Sequence, residues 1–180
     1  FISAHTGTGY STIYSRQFFA EWHPIALLGI ILAMSLGGCA CSTTGGIKSL
    51  RISLIIKATI QSIRQLMLPE ASRISQRFFH LKEVFLEDKM VKNVSIVTLF
   101  YIILYLFGTL AGMFFGFPFM QSLFESTSAA ANVGLSSGIT SVNMPNTLKV
   151  IYIFQMWIGR LEFMSIFVLI GFIISAIRGK

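Results

Sequence analysis

Acidic side chains are scarce in this chain. It has seven Asp and Glu among 180 residues, and only 12% of its residues are charged. Globular chains carry about 25%. Within the apolar stretches the only carboxylates are Glu125 and Glu162. No paired His/Asp/Glu or Ser/His group falls at bilayer depth, so the chain reads as a non-enzyme. The two cysteines, Cys39 and Cys41, lie too close for an ordinary disulfide. Lacking a His partner, they make no zinc site and read as small packing residues. No P-loop and no dinucleotide fingerprint is present, so no nucleotide site and no bound cofactor is expected. No signal peptide is visible and the chain opens on Phe1, which reads as the C-terminal part of a larger protein.

Apolar side chains dominate what is there. They make up 54% of residues, with a mean hydropathy of +0.73, as expected of a polytopic membrane protein. The net charge of +7 would suit nucleic acid if it were spread over a surface. Instead nine of the fourteen Lys and Arg fall between Lys48 and Lys92, in a stretch joining two apolar segments. Such a connection reads as cytoplasmic, and nucleic acid is excluded as a partner.

A short pattern occurs twice. At an offset of 125 positions Ser3-Ala4 falls on Ser128-Ala129, Gly9 on Gly134 and Ser11 on Ser136. Each copy precedes a long apolar segment. Irregular backbone at membrane depth is tolerated only where it is packed in protein or lines a watery cavity. Rings of backbone carbonyls on such turns are how ion filters are built.

Between the copies, residues 13–23 have an interfacial, aromatic composition. Pro24 suits the first turn of a helix over 24–36, which spans roughly 20 Å, short of a hydrocarbon core of about 30 Å. Residues 37–48 hold four glycines and three hydroxyl residues, a poor helix. A second helical run over 47–68 ends at Pro69, so the pattern predicts one membrane helix broken midway. Residues 70–92 are charged and amphipathic. Asn93 to Phe115 is long enough to span. Residues 118–131 predict a short helix that cannot cross, the second turn follows at 132–136, and Leu148 to Ile177 reads as one final long helix with Arg160 near its middle. A charge there is costly and faces a cavity or a partner, with Glu125 as one candidate. Glu162 lies two residues away and does not face it. Lys48 is either a gate element or a basic residue snorkelling to water.

Three strings resemble the Trk/Ktr/HKT superfamily of potassium and sodium transport proteins, and most closely its Trk-type membrane subunits. Phe-Glu-Ser-Thr-Ser-Ala-Ala-Ala-Asn-Val-Gly-Leu-Ser-Ser-Gly-Ile-Thr at 124–140 resembles the fourth pore loop. Met-Trp-Ile-Gly-Arg-Leu-Glu at 156–162 resembles the fourth M2 helix. Gly-Gly-Cys-Ala-Cys-Ser-Thr-Thr-Gly-Gly-Ile-Lys at 37–48 is similar to the loop that breaks the third M2 helix.

The resemblance implies an all-α membrane fold of concatenated helix–pore helix–filter–helix units around one pore. Residues 1–68 would end the third unit, 69–92 would be a cytoplasmic connection and 93–180 the fourth unit. The carbonyls of Thr6, Gly7, Thr8 and Gly9, and of Ala131, Asn132, Val133 and Gly134, would face a potassium ion carried as cargo. Residues 37–48, including Gly37, Gly38, Cys41, Ser42, Thr43, Gly45, Gly46 and Lys48, would form an intramembrane gate that meets Arg160. The function implied is potassium uptake across the cell membrane, with sodium selectivity or ion-coupled secondary transport as the alternatives. The implied partners are the lipid bilayer, a second copy of the subunit and a cytoplasmic nucleotide-binding regulatory subunit. The chain departs from the family pattern at Gly7, Cys41 and Thr44, and Cys41 is strained if its place requires positive φ.

Overall fold

A computed structural model describes residues 1–12, 15–39, 42, 44–67, 77–80, 82–85 and 88–179. Cys41 and Thr43 of the expected gate lie outside those residues. The described architecture is helical: α1 (Ile2–His5), α2 (Ser15–Glu21), α3 (Pro24–Ser35), α4 (Ser49–Leu66), α5 (Asp88–Phe114), α6 (Phe119–Ala130), α7 (Asn146–Leu161) and α8 (Phe163–Ile177). Two small strand pairs interrupt it. β1 (Leu36–Gly37) pairs in parallel with β2 (Ile47–Lys48), and β3 (Arg77–His80) pairs antiparallel with β4 (Lys82–Phe85). The second pair is a hairpin within the basic connection, where the charge pattern alone gave no strand signal.

Pro24 occupies the first turn of α3, and the His23 ring nitrogen caps it by accepting from the Ile25 amide at 3.3 Å. The helix stops at Ser35 because Gly37, Gly38, Gly45 and Gly46 follow with small hydroxyl residues. The β1–β2 bridge returns the chain beside its starting point, with Leu36 opposite Ile47. The expected broken helix is therefore two helices, α3 and α4, joined by a loop closed at its neck.

Among the described residues α5 is the one helix long and apolar enough to cross a membrane by itself, over Lys89–Phe114. It packs along α6, which is too short to cross, and α7 lies against both. Small residues permit the close approach, as in membrane bundles generally. A Cβ built on Gly112 would lie 2.7 Å from Ser122 Oγ and 2.8 Å from Ser122 Cβ. Gly112→Val is expected to lower the unfolding free energy of the full-length protein by about 1–3 kcal/mol, the usual cost of overpacking. Thermal unfolding in detergent reads the effect.

Buried hydroxyls and amides stitch the three helices together. Ser126 Oγ donates to the Tyr105 carbonyl at 2.7 Å, and Gln155 Nε2 donates to the Leu104 carbonyl at 2.7 Å and to Ser126 Oγ at 3.1 Å. The apolar core joins the two halves of the chain: Leu27, Ile30, Ile31 and Met34 of α3 meet Phe124 of α6 and Ala131, Val133 and Leu135 beyond it.

The final helix differs from expectation. Leu148 to Ile177 is not one helix: α7 and α8 meet at 99°. The break is Glu162, whose φ of 59° and ψ of 147° lie outside the conformations a non-glycine residue ordinarily adopts. Such backbone persists where its surroundings over-determine it. Here the surroundings are two cations from distant parts of the chain. Lys48 Nζ lies 2.5 Å from Glu162 Oε1, and Arg51 Nη2 lies 2.5 Å from Glu162 Oε2.

Candidate cation-conducting site

The two copies of the sequence pattern fold the same way, residue by residue. Thr6 caps α1 with φ −76° and ψ −6°. Ala131, 125 positions on, caps α6 with φ −85° and ψ −4°. Gly7 and Asn132 follow with φ of 67° and 56°, then Gly9 and Gly134 with φ of 73° and 91°. Thr8 and Val133, between them, are not left-handed. Glycine and asparagine are the residue types that enter the left-handed region at least cost.

The amide anchors repeat as well. Thr6 N donates to the Ile2 carbonyl at 2.9 Å and Ala131 N to the Thr127 carbonyl at 2.9 Å; Thr8 N donates to the Ser3 carbonyl at 3.1 Å and Val133 N to the Ser128 carbonyl at 3.0 Å. An alternation of hand along a chain turns successive amides to one side and carbonyls to the other. Of the carbonyls in the second turn, that of Val133 lies against Gly9 and that of Ala131 against Gly45. The turns abut. A Cβ on Gly9 would sit inside the van der Waals shell of the Val133 carbonyl oxygen.

The loop at 37–48 lies directly against these turns. A Cβ on Gly7 would come 2.9 Å from Thr44 Cγ2, and one on Gly45 would come 2.6 Å from the Ala131 carbonyl oxygen and 3.1 Å from Asn132 Nδ2. Gly46 takes φ of 80° to pass Ser35. Thr44, where the resemblance expects glycine, supplies the loop's internal bonds. Its Oγ1 accepts from the Gly38 amide at 3.0 Å and shares a hydrogen bond with Ser42 Oγ at 2.6 Å, while its own amide donates to Ser42 Oγ at 3.0 Å. Gly37 packs on the Gly45 backbone. Cys39 is exposed rather than packed.

Glu125 and Lys48 have partners that the sequence did not signal. Arg160 is exposed on the last turn of α7. Glu125 is buried, 4% exposed, and its carboxylate is occupied by Ser136, Ser137 and Thr140 rather than by a cation. Lys48 is tied to Glu162. Lys48 stands 114 positions from Glu162, so no local pattern signals the pair. The described residues hold no His/Cys/Asp/Glu cluster suited to a metal.

A helix of membrane-crossing length, shorter helices packed along it, and two abutting turns with the same dihedral signs define a helical membrane protein built on a repeated helix-and-turn element. The chain belongs to the TrkH family of cation transport proteins, whose model matches residues 1–175. It is 31% identical over 168 residues to an uncharacterized cation transporter of Methanocaldococcus jannaschii, covering 93% of this chain and 34% of that protein. It is 27% identical over 158 residues to the Trk system potassium uptake protein TrkG of Escherichia coli K12, covering 86% of this chain and 32% of that one. The crystal structure of the potassium transporter TrkH from Vibrio parahaemolyticus shares the fold at a TM-score of 0.73 and 22% identity, covering 92% of this chain and 34% of that one. The chain thus spans about a third of the length of the relatives it matches.

Proposed function

We propose that this chain supplies two of the carbonyl turns of a potassium-conducting pore, Thr6–Gly9 and Ala131–Gly134, and the loop that gates it. The observation that carries the reading is the repeated alternation of backbone hand at 6–9 and 131–134, anchored by the same amide bonds in both copies. Neutral carbonyls replace a cation's water without holding it too tightly to leave. Potassium is the cargo, in keeping with the similarity to the potassium uptake protein TrkG.

The 37–48 loop is the gate on this reading, because Thr44 and Gly45 touch the filter turns from one side. Ser42, Gly37, Gly38 and Gly46 shape it, and Lys48 roots it to the fourth unit through Glu162. Arg160, at the same end of α7, adds a positive barrier below the filter. Residues 1–68 close a third unit, 69–92 form the cytoplasmic connection and 93–180 form a fourth unit. The protein resides in the plasma membrane as a multi-pass homodimer with its C-terminus inside. A nucleotide-binding regulatory subunit docks on the basic inner face around 64–92, where Lys and Arg concentrate.

The test is paired flux. The full-length protein carrying this sequence, in liposomes, is expected to take up rubidium-86 in a manner blocked by external potassium, with little sodium-22 uptake. Sodium uptake without rubidium uptake would replace the potassium reading with a sodium-selective one.

A further inference from the structure

Glu125 is the one carboxylate buried in the described core, and among the described residues its hydrogen-bond partners are uncharged. Four donors converge on it. Ser137 N lies 2.6 Å and Ser137 Oγ 2.7 Å from Oε2, Ser136 Oγ lies 3.1 Å from Oε1, and Thr140 Oγ1 donates to Oε1. A carboxylate is the side chain that accepts at both oxygens and donates at neither. All three donor residues follow Gly134, the last residue of the second filter turn.

The other end of that turn is tied to the same helix. Ala131 N and Val133 N donate to the carbonyls of Thr127 and Ser128 on α6, and Glu125 is on α6 one turn earlier. The segment from 131 to 135 is therefore a handle with both ends fixed to one helix about 4.5 Å apart along its axis. A handle so tied holds its carbonyls at one spacing. Ser136 also accepts from the Gly138 amide at 3.0 Å, which stiffens the far anchor. The first copy of the pattern carries hydroxyl residues at the three matching positions, Ser11, Thr12 and Ser15.

We propose that Glu125 is a positioning residue for ion selectivity: it fixes the carbonyl spacing of Ala131–Gly134 through Ser136, Ser137 and Thr140. The inference rests on the filter reading of those carbonyls. Glu125 acts through the backbone it holds. Charge-assisted hydrogen bonds are strong ones, and the two from Ser137 are buried.

The test uses the full-length protein in liposomes with rubidium-86 and sodium-22 uptake measured side by side, and thermal unfolding measured on the same preparations. Glu125→Gln places an amide donor opposite hydroxyl and amide donors. It is expected to lower the rubidium-to-sodium uptake ratio about tenfold while rubidium uptake persists, a change worth about 1.4 kcal/mol of discrimination. Thr140→Ala is expected to lower the ratio by a smaller factor, and Thr140→Ser, which keeps the hydroxyl, to leave it unchanged. Should Glu125→Gln fail to fold, the Thr140 pair alone decides. A loss of thermal stability with the uptake ratio intact in Glu125→Gln or Thr140→Ala would make the cluster a structural support only and overturn the proposal. A wild-type protein that did not discriminate rubidium from sodium would instead overturn the filter reading beneath it.

Discussion

Gly9→Ala is expected to abolish rubidium uptake by the full-length protein and to destabilise it more than any other single methyl group added to the described turns. Two costs add. Alanine in the left-handed region costs about 1–2 kcal/mol. The new methyl group would also overlap the Val133 carbonyl oxygen, and Val133 is not free to retreat, since its own amide is bonded to Ser128. Overpacking of that kind costs about 1–3 kcal/mol. The same oxygen belongs to the neighbouring turn at 131–134, so either the turns separate or the carbonyl rotates from its place. Gly116→Ala isolates the first cost, because Gly116 has φ of 87° with open space where its Cβ would go. It is expected to lower stability by about 1 kcal/mol and leave uptake unchanged. Thermal unfolding and rubidium-86 uptake of both variants make the comparison. Wild-type uptake in Gly9→Ala would mean that the two turns are not packed as described.

Glu162→Ala is expected to raise the unstimulated rubidium leak severalfold and to lower thermal stability. Glu162 holds Lys48, at the root of the 37–48 loop, and Arg51, on α4, at 2.5 Å each. Its removal leaves two cations facing one another across a partly buried gap, and breaking a buried ion pair by removing one partner costs up to about 3–5 kcal/mol. The carboxyl is about a quarter exposed, at 28%, so screening brings the expected loss toward about 1–2 kcal/mol. The functional consequence is larger than the stability loss. The bend at Glu162 loses the ion pairs that support its φ of 59°, and the loop loses its tether to the junction of α7 and α8. Lys48→Met should reproduce part of the leak, and the double variant should show less than the sum of the two, because both remove one interaction. A leak unchanged in Glu162→Ala would separate the ion cluster from the gate.

Much of the helical frame was legible because membrane solvent makes demands that composition answers. The run at 93–115 became α5, extended by one turn into the charged residues at 88–92, and the run at 118–131 became α6. The glycine-rich string at 37–48 was legible as a break because nothing in it favours helix, although its closure by the Leu36–Ile47 bridge was not. The offset of 125 positions between the two copies was legible, and it reappears in the dihedral signs. The bend at Glu162 was not. Arg160-Leu161-Glu162-Phe163 contains no proline or glycine, and the groups that hold the bend lie more than a hundred residues away. Glu125 was misjudged for a similar reason. A lone carboxylate in an apolar stretch suggests a cationic partner, whereas its partners are uncharged hydroxyls and an amide eleven to fifteen positions further on, beyond the turn at 131–134.

The most direct measurement is rubidium anomalous diffraction from crystals of the full-length protein. A carbonyl filter is expected to show a rubidium peak ringed by the backbone oxygens of residues 6–9 and 131–134, with no peak at a carboxylate. A peak at Glu125 or Glu162 instead, with none among the backbone oxygens, would contradict the filter and make the protein an ion-coupled carrier.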